Sequence, residues 1–190
     1  MFSSSIKHQL LAGVFCMSMN SIMGYEEVQI KLIELSQIEE VKHMMAASAF
    51  EVLQLPITIE EFEEELNKTN EYEDLDNVQS IYCDNKGVFY IALDNNKVIG
   101  SGAIKKLDDE TCELKRMWFL KQYRGKGFGL AMANKLFEFA KNQGYKKIRL
   151  DVYFPDLQQQ AVTFYKKLGF YEIKPYNNSP AKLFMEKIFI

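Results

Sequence analysis

From residue 28 onward, stretches of alternating apolar and polar residues take turns with stretches of helical period. Val28, Ile30 and Leu32 alternate with Gln29 and Lys31, which predicts a strand reaching about Leu35. Ser36 and Glu39 have the spacing of a capping box, and Val41, Met44, Met45 and Ala49 then follow at helical spacing. Thr58 and Glu61 repeat the capping form and open a shorter helix through Phe62 and Leu66. The polar stretch from Asn67 to Asn77 reads as a loop. Val88 to Leu93, Val98 to Ile104 and Cys112 to Leu120 are three closely spaced strands, and the short polar turns between them predict antiparallel hairpins. A helix is expected from about Gly127 to Asn142, with Gly144 at its C′ position. Ile148, Leu150 and Val152 alternate with Lys147, Arg149 and Asp151 as a further strand. Asp156 is placed to cap a last helix from Leu157 to Leu168, and Gly169 stands at its end. Two β-like runs, Tyr171 to Lys174 and Lys182 to Phe189, complete the pattern. The expected fold class is α/β (an α+β mixed sheet) of about seven strands with about four helices packed on both faces, in a single domain over 25–190.

Residues 1–24 break this rhythm. Ser3-Ser4-Ser5, the single Lys7 and a short apolar run from Leu10 to Met17 read either as a secretory leader or as an extension outside the core. In the second reading Met17, Met19 and Met23 are alternative starts. No A-x-A-like cleavage site follows the run, so the segment is taken as an N-terminal extension, outside the fold.

Composition narrows the chemistry. Of the 190 residues, 47% are apolar and 26% charged, ordinary values for a globular protein with a core of its own. No apolar run approaches the ~18–20 residues of a membrane span. A net charge of −3 offers no basic field for nucleic acid. The expected partners therefore exclude both nucleic acid and membrane. Cys16, Cys83 and Cys112 form neither a disulfide framework nor a zinc pattern, so no metal is expected and a reducing, cytoplasmic setting fits best. With His8 and His43 as the only histidines, a histidine-based triad is nearly excluded.

The sharpest local signal is Gln122-Tyr123-Arg124-Gly125-Lys126-Gly127-Phe128-Gly129, directly after a strand and before a helix. Glycines let backbone turn tightly and approach a ligand. The first N–H groups of a helix lack internal acceptors, and the helix dipole adds positive character there, which suits a phosphate or pyrophosphate. Arg124 and Lys126 add formal charge. The spacing is not that of a P-loop and is a poor dinucleotide fingerprint. Alone, the octet could equally be a tight strand–helix connection with no ligand.

Glu113-Leu114-Lys115-Arg116-Met117-Trp118-Phe119 lies upstream of the octet, and Gln158-x-x-Ala161-x-x-Phe164-Tyr165-x-x-Leu168-Gly169-Phe170 lies downstream. In order and spacing the three segments resemble the GCN5-related N-acetyltransferase (GNAT) superfamily over about residues 26–189, with 40–80 matching in layout only. The resemblance implies acetyl-CoA as co-substrate. It implies that Met117, Trp118 and Phe119 end the strand that pairs with the pantetheine arm. Arg124, Gly125, Lys126, Gly127, Gly129 and Leu130 would then offer backbone N–H groups to the pyrophosphate, and Gln158, where the family often has Asn, would touch the pantetheine. Tyr165 takes the place of the tyrosine that protonates the leaving thiolate. Its own helical stripe with Ala161, Phe164 and Leu168 also fits a structural tyrosine with a satisfied hydroxyl.

Glu113 matches the general base of the histone-acetylating branch, and strand alternation puts it on one face with Lys115, Met117 and Phe119. The other readings are a glutamate paired with Lys115 or Arg116, and a base made of water. The implied reaction is direct attack of a primary amine of a small molecule or peptide on acetyl-CoA, with a non-catalytic acyl-CoA-binding relative as the alternative and a phosphate-ligand protein of another kind as the third. Glu60, Glu61, Glu63, Glu64, Glu65, Glu71, Glu73, Asp74 and Asp76 face only Lys68 in charge, which reads either as a wall for a cationic acceptor or as a solvated surface. A monomer or a homodimer is compatible with the pattern.

Overall fold

A computed structural model describes residues 28–189, so the N-terminal segment 1–24, with His8 and Cys16, lies outside the described residues. In chain order the elements are β1 (Gln29–Leu32), α1 (Ile38–Leu53), α2 (Ile59–Lys68), α3 (Glu73–Asp76), α4 (Val78–Ile81), β2 (Val88–Asp94), β3 (Lys97–Lys106), β4 (Thr111–Phe119), α5 (Phe128–Asn142), β5 (Lys147–Val152), α6 (Gln159–Lys167), β6 (Tyr171–Ile173) and β7 (Leu183–Ile188). The strands form one sheet in the order β1-β2-β3-β4-β5-β7-β6. Every pairing is antiparallel except β4 with β5. A parallel pair requires a crossover, and α5 is that crossover.

Helices cover both faces, as the apolar spacing predicts. Met132, Leu136 and Ala140 line one side of α5 and bury against Ile104, Leu114, Leu150 and Met185. On the opposite face Val41, Met44 and Met45 of α1 pack with Leu75, Val78 and Tyr82 against Phe89, Ile91 and Ala103. No helix among the described residues is long and apolar enough to cross a membrane, and no group of three His, Cys, Asp or Glu side chains among them could hold a metal ion.

Thr58 and Glu61 make the expected capping box at α2. Ser36 and Glu39 do not make theirs. Glu34 and Gln37 form a reciprocal cap around a 3-10 turn at Leu35–Gln37, α1 starts at Ile38, and Glu39 pairs with Lys42 instead. The expected loop over Asn67 to Asn77 contains α3 and leads directly into α4. Tyr72, Leu75, Val78 and Tyr82 supply a sparse apolar stripe, all buried, that two single helical turns suffice to present. Asp156 does not cap α6. The N–H groups of Leu157 and Gln158 both bond to Phe154 O, so a tight turn uses those residues and the helix begins at Gln159.

One further departure matters for chemistry. The β3–β4 register slips between Ser101 and Ala103, and Arg116 adopts φ +54 in mid-strand. Lys115 stands opposite Ala103 and Trp118 opposite Ser101, so two residues, Arg116 and Met117, face Gly102 alone. Such a bulge inverts strand alternation. Glu113, Lys115 and Trp118 therefore share the α1 face, while Leu114, Met117 and Phe119 lie on the α5 face. The expectation that Glu113 shares a face with Met117 and Phe119 is corrected by that one inserted residue.

Candidate active site

Parallel pairing of β4 with β5 covers only Thr111, Cys112 and Glu113 against Lys147, Ile148 and Arg149. Both strands continue, β4 to Phe119 and β5 to Val152, without further ladder pairs between them. The β4 edge from Leu114 to Phe119 thus borders an opening in the middle of the sheet. On the α1 face Lys115 Nζ reaches Asp151 Oδ1 at 3.5 Å across it. On the α5 face the head of the opening is where β4, α5 and α6 converge. A Cβ placed on Gly129 would stand 3.9 Å from the Phe164 ring and 4.0 Å from the Met117 methyl. Gly102 leaves room for Leu136, Met132 and Met117, since a Cβ there would lie 2.8 Å from Leu136 Cδ1, 3.0 Å from Met132 Cγ and 3.2 Å from Met117 Sδ.

The glycine-rich turn ends beside this opening. A 3-10 turn at Lys121–Tyr123 is followed by Gly125 at φ +73 and Gly127 at φ +90, left-handed conformations that side chains with a Cβ resist. A Cβ on either glycine would meet nothing within 4 Å, so the turn opens outward. The first internal bond of α5 runs from Ala131 N–H to Gly127 O. The amides of Gly127, Phe128, Gly129 and Leu130 precede it and have no acceptor within the helix. Lys126 is exposed and lies 5.9 Å from the Tyr123 ring, and Leu130 is exposed on the first turn.

Arg124 behaves differently from its neighbours. Its backbone N–H bonds to Lys121 O. Its guanidinium turns inward, giving Nε–H to Phe119 O at 2.7 Å and Nη2–H to Ser48 O at 3.3 Å, with Glu51 Oε2 at 3.7 Å. Partial burial lowers its pKa from the usual arginine value, only partly opposed by Glu51. Arg124 therefore fastens the turn to α1 and to the end of β4, and its charge does not face the open side.

Tyr165 sits on α6, 8% exposed, between the rings of Phe164 and Phe170 at 5.6 and 5.7 Å. Among the described residues its hydroxyl has no protein hydrogen-bond partner, and burial alone pushes its pKa well above the ordinary tyrosine value. No side-chain oxygen or nitrogen among them is both fully enclosed and unpartnered, so this hydroxyl retains an opening to solvent. The structural reading of Tyr165, which required a satisfied hydroxyl, lacks that partner. Gln158 occupies the N-cap position of α6 without capping it; its Oε1 accepts from Phe154 N–H at 3.3 Å and is held by the β5–α6 turn.

Glu113 is 4% exposed and pairs with neither Lys115 nor Arg116. Its Oε1 accepts the Tyr176 hydroxyl at 2.6 Å and lies 3.5 Å from Asn177 Nδ2. Burial and this bond to Glu113 raise the Tyr176 pKa far above its ordinary value, and the Arg149 guanidinium lies over its ring at 5.2 Å. Tyr176, Asn177 and Asp151 were absent from the sequence-based set. The period-two run of β5 marks Asp151 as sharing a face with Arg149, but no local signal brings the β6–β7 connection back over Glu113. The acidic segment is largely engaged by other groups: Asp74 and Glu71 with Arg116, Asp76 with Lys42, Glu63 with His43, Glu64 with Lys68, and Glu61 with the Thr58 amide.

The profile of the acetyltransferase (GNAT) family matches residues 53–170. The chain belongs to the GNAT family. Among GNAT proteins of similar sequence, the Escherichia coli K12 N-acetyltransferase YjgM, described as uncharacterized, is 29% identical over 102 residues, 52% of this chain and 60% of that protein. Human N-acetyltransferase 8B is 29% identical over 103 residues, 51% of this chain and 44% of that protein. The chain thus spans about half the length of the curated relatives it matches. A Streptococcus agalactiae acetyltransferase shares the GNAT fold with a TM-score of 0.72 at 22% identity, over 87% of this chain and all of that one. The PaiA N-acetyltransferase of Thermoplasma acidophilum, solved with coenzyme A, aligns with a TM-score of 0.70 at 20% identity, over 86% of this chain and all of that one.

Proposed function

We propose that this GNAT protein transfers an acetyl group from acetyl-CoA to a primary amine of a small molecule or peptide, by direct attack within a ternary complex. One observation supports the reading: at the head of the opening between β4 and β5 a Cβ on Gly129, in the first turn of α5, would lie 3.9 Å from the Phe164 ring of α6 and 4.0 Å from the Met117 methyl of β4, so the glycine-rich turn, the β4 edge and the helix that carries Tyr165 meet there. The diphosphate fits the start of α5, where Gly127, Phe128, Gly129 and Leu130 and the helix dipole meet its charge. The pantetheine arm would complete the unpaired edge of β4 as an added strand does, through the backbone of Met117, Trp118 and Phe119.

The inverted alternation sets the chemistry out on two sides. Glu113 lies on the α1 face and Tyr165 in the α5–α6 core. A deprotonated amine approaching from the α1 face attacks the acetyl carbon within the opening. Glu113 takes the amine proton, directly or through Tyr176 or water. The negative charge that develops on the carbonyl oxygen is held by a backbone N–H of the Met117–Phe119 segment. The C–S bond breaks and Tyr165 protonates the leaving thiolate from the other side. No covalent enzyme intermediate is needed, and burial raises the Cys112 thiol pKa to about 12, which disfavours it as a nucleophile. Because Asp74, Asp76 and Glu71 already have cationic partners, the acceptor site has fewer open carboxylates than the sequence suggests, and Glu60, Glu65 and Glu73 are the ones left for a cationic acceptor.

The test is thiol release from acetyl-CoA across a panel of primary amines, with polyamines, basic peptides and aminoglycosides first. Amine-dependent release by the wild type that falls steeply in Tyr165→Phe supports transfer. Acetyl-CoA binding with no amine-dependent release across the panel favours the non-catalytic alternative.

A further inference from the structure

We infer that Arg116 and Asp74 form a positioning pair that sets the β4 bulge, and through it the backbone that receives the acetyl end of acetyl-CoA. The inference rests on the acetyl-CoA reading above and adds residues that reading does not use.

Arg116 is a non-glycine residue at φ +54 inside a strand, a conformation that persists only where its surroundings impose it. The surroundings here are unusually complete. Arg116 Nε and Nη2 donate to the two Asp74 carboxylate oxygens at 3.0 and 2.7 Å, a two-pronged pair. Nη1 donates to Glu71 Oε1 at 3.0 Å and Nη2 to Glu71 O at 2.6 Å. The Tyr72 ring lies 5.8 Å from the guanidinium carbon. Tyr82, fully buried, donates its hydroxyl to Asp74 and fixes the carboxylate from behind. On the strand itself, the Arg116 carbonyl accepts the Ser101 hydroxyl at 2.6 Å.

Each contact acts on the one residue that inverts strand alternation. Arg116 immediately precedes Met117, Trp118 and Phe119, and it lies beyond Glu113, where pairing to β5 ends. With no neighbouring strand on that edge, the pitch of the Met117–Phe119 amides is set from the side, by the grip on Arg116. The partners of the guanidinium all come from residues 71–82, the segment on the proposed acceptor side. The pair therefore links the wall that shapes the acceptor site to the strand that holds the donor. The diphosphate turn is fastened separately, by Arg124 to Ser48, Glu51 and Phe119. Loss of the Arg116 grip should thus affect the acetyl-pantetheine end of the ligand and spare the diphosphate end.

The experiment measures equilibrium affinity for acetyl-CoA and for 3′-phospho-ADP, its diphosphate half, in wild type, Asp74→Asn, Arg116→Lys and Arg116→Gly. The expected result is acetyl-CoA affinity weakened about tenfold or more in all three, with 3′-phospho-ADP affinity within about twofold of wild type. Asp74→Asn combined with Arg116→Lys should weaken acetyl-CoA no further than either alone, since both break one pair. Arg116→Gly relaxes the backbone while removing the guanidinium. If it binds acetyl-CoA like wild type, the conformation alone suffices and the pair has no positioning role. Should Arg116→Gly fail to fold, the nearly isosteric Asp74→Asn decides. Affinity for both ligands falling in parallel, with loss of melting temperature, would reduce the pair to general structural support and overturn the inference. Wild type that binds neither ligand would remove the acetyl-CoA reading itself. Wild type that binds both, beside variants that match it, would remove the inference alone.

Discussion

Tyr165 is buried among aromatic rings, its hydroxyl has no hydrogen-bond partner among the described residues, and that combination gives it a distinct kinetic signature. Tyr165→Phe removes one oxygen from a site already lined by Phe164 and Phe170, so acetyl-CoA affinity should stay within about twofold. Turnover should fall about 10²–10⁴-fold, the range of a positioned general acid. Steady-state kinetics and binding on the same preparation separate the two. Asp74 carries a second prediction at this scale. Burial alone would raise its pKa, but the Arg116 and Tyr82 hydrogen bonds and the Arg116 charge outweigh burial and hold it below the ordinary value of 3.8. A carboxyl depressed in the folded state stabilises the protein above its unfolded value and loses that contribution as pH falls through the folded one. Denaturation curves of wild type should thus lose stability below about pH 4, and Asp74→Asn should flatten that acid slope. Equal slopes in both proteins would show that Asp74 is not depressed. Of the candidate site residues, Tyr165 and the glycine-rich turn stand out in the sequence because their signals are local: fixed spacing on one helix and residues suited to positive φ. Tyr176, Asn177 and Asp151 reach the Glu113 side through tertiary register, which spacing along the chain does not encode.

Among the elements, the turn before α5 divides its glycines by physical role. Gly127 needs its left-handed φ of +90, whereas Gly129 has ordinary helical backbone with van der Waals room for a methyl group. Gly127→Val should destabilise by about 1–2 kcal/mol from backbone strain and weaken acetyl-CoA binding. Gly129→Ala should leave stability unchanged or raise it by up to about 1 kcal/mol through helix propensity. Chemical denaturation of both variants checks the pair, and equal losses would contradict the division. The seven strands and the four longer helices follow from the period of their apolar positions, while of the expected N-terminal caps only Thr58 with Glu61 forms. The short helices α3 and α4 were hidden, since the four buried apolar residues spread over Tyr72 to Tyr82 do not outweigh the polar and acidic positions between them. The β4 bulge was hidden for a different reason. One inserted residue leaves the composition of a strand unchanged and reverses the face of everything after it, so Glu113 lost Met117 and Phe119 as neighbours.

At the scale of the whole molecule, the proposed function rests on one parallel seam in the sheet. An otherwise antiparallel sheet has one parallel seam, β4 with β5, and the seam closes for only three residue pairs. The crossover helix that the seam requires begins beside the opening, so in the proposed reading the same connection would supply both the diphosphate site and the slot. The account's central claim is that acetyl-CoA occupies this slot, and thermal unfolding of the full chain with acetyl-CoA, free CoA and ATP tests it most directly. A ligand at about one hundred times its Kd adds about 2.7 kcal/mol. At roughly 2–4 °C per kcal/mol for a domain of this size, that raises Tm by about 5–10 °C. The account predicts such a rise with acetyl-CoA and with CoA, and little or none with ATP, which lacks the pantetheine arm. A folded protein whose Tm is unmoved by either CoA species, or moved equally by ATP, would contradict it.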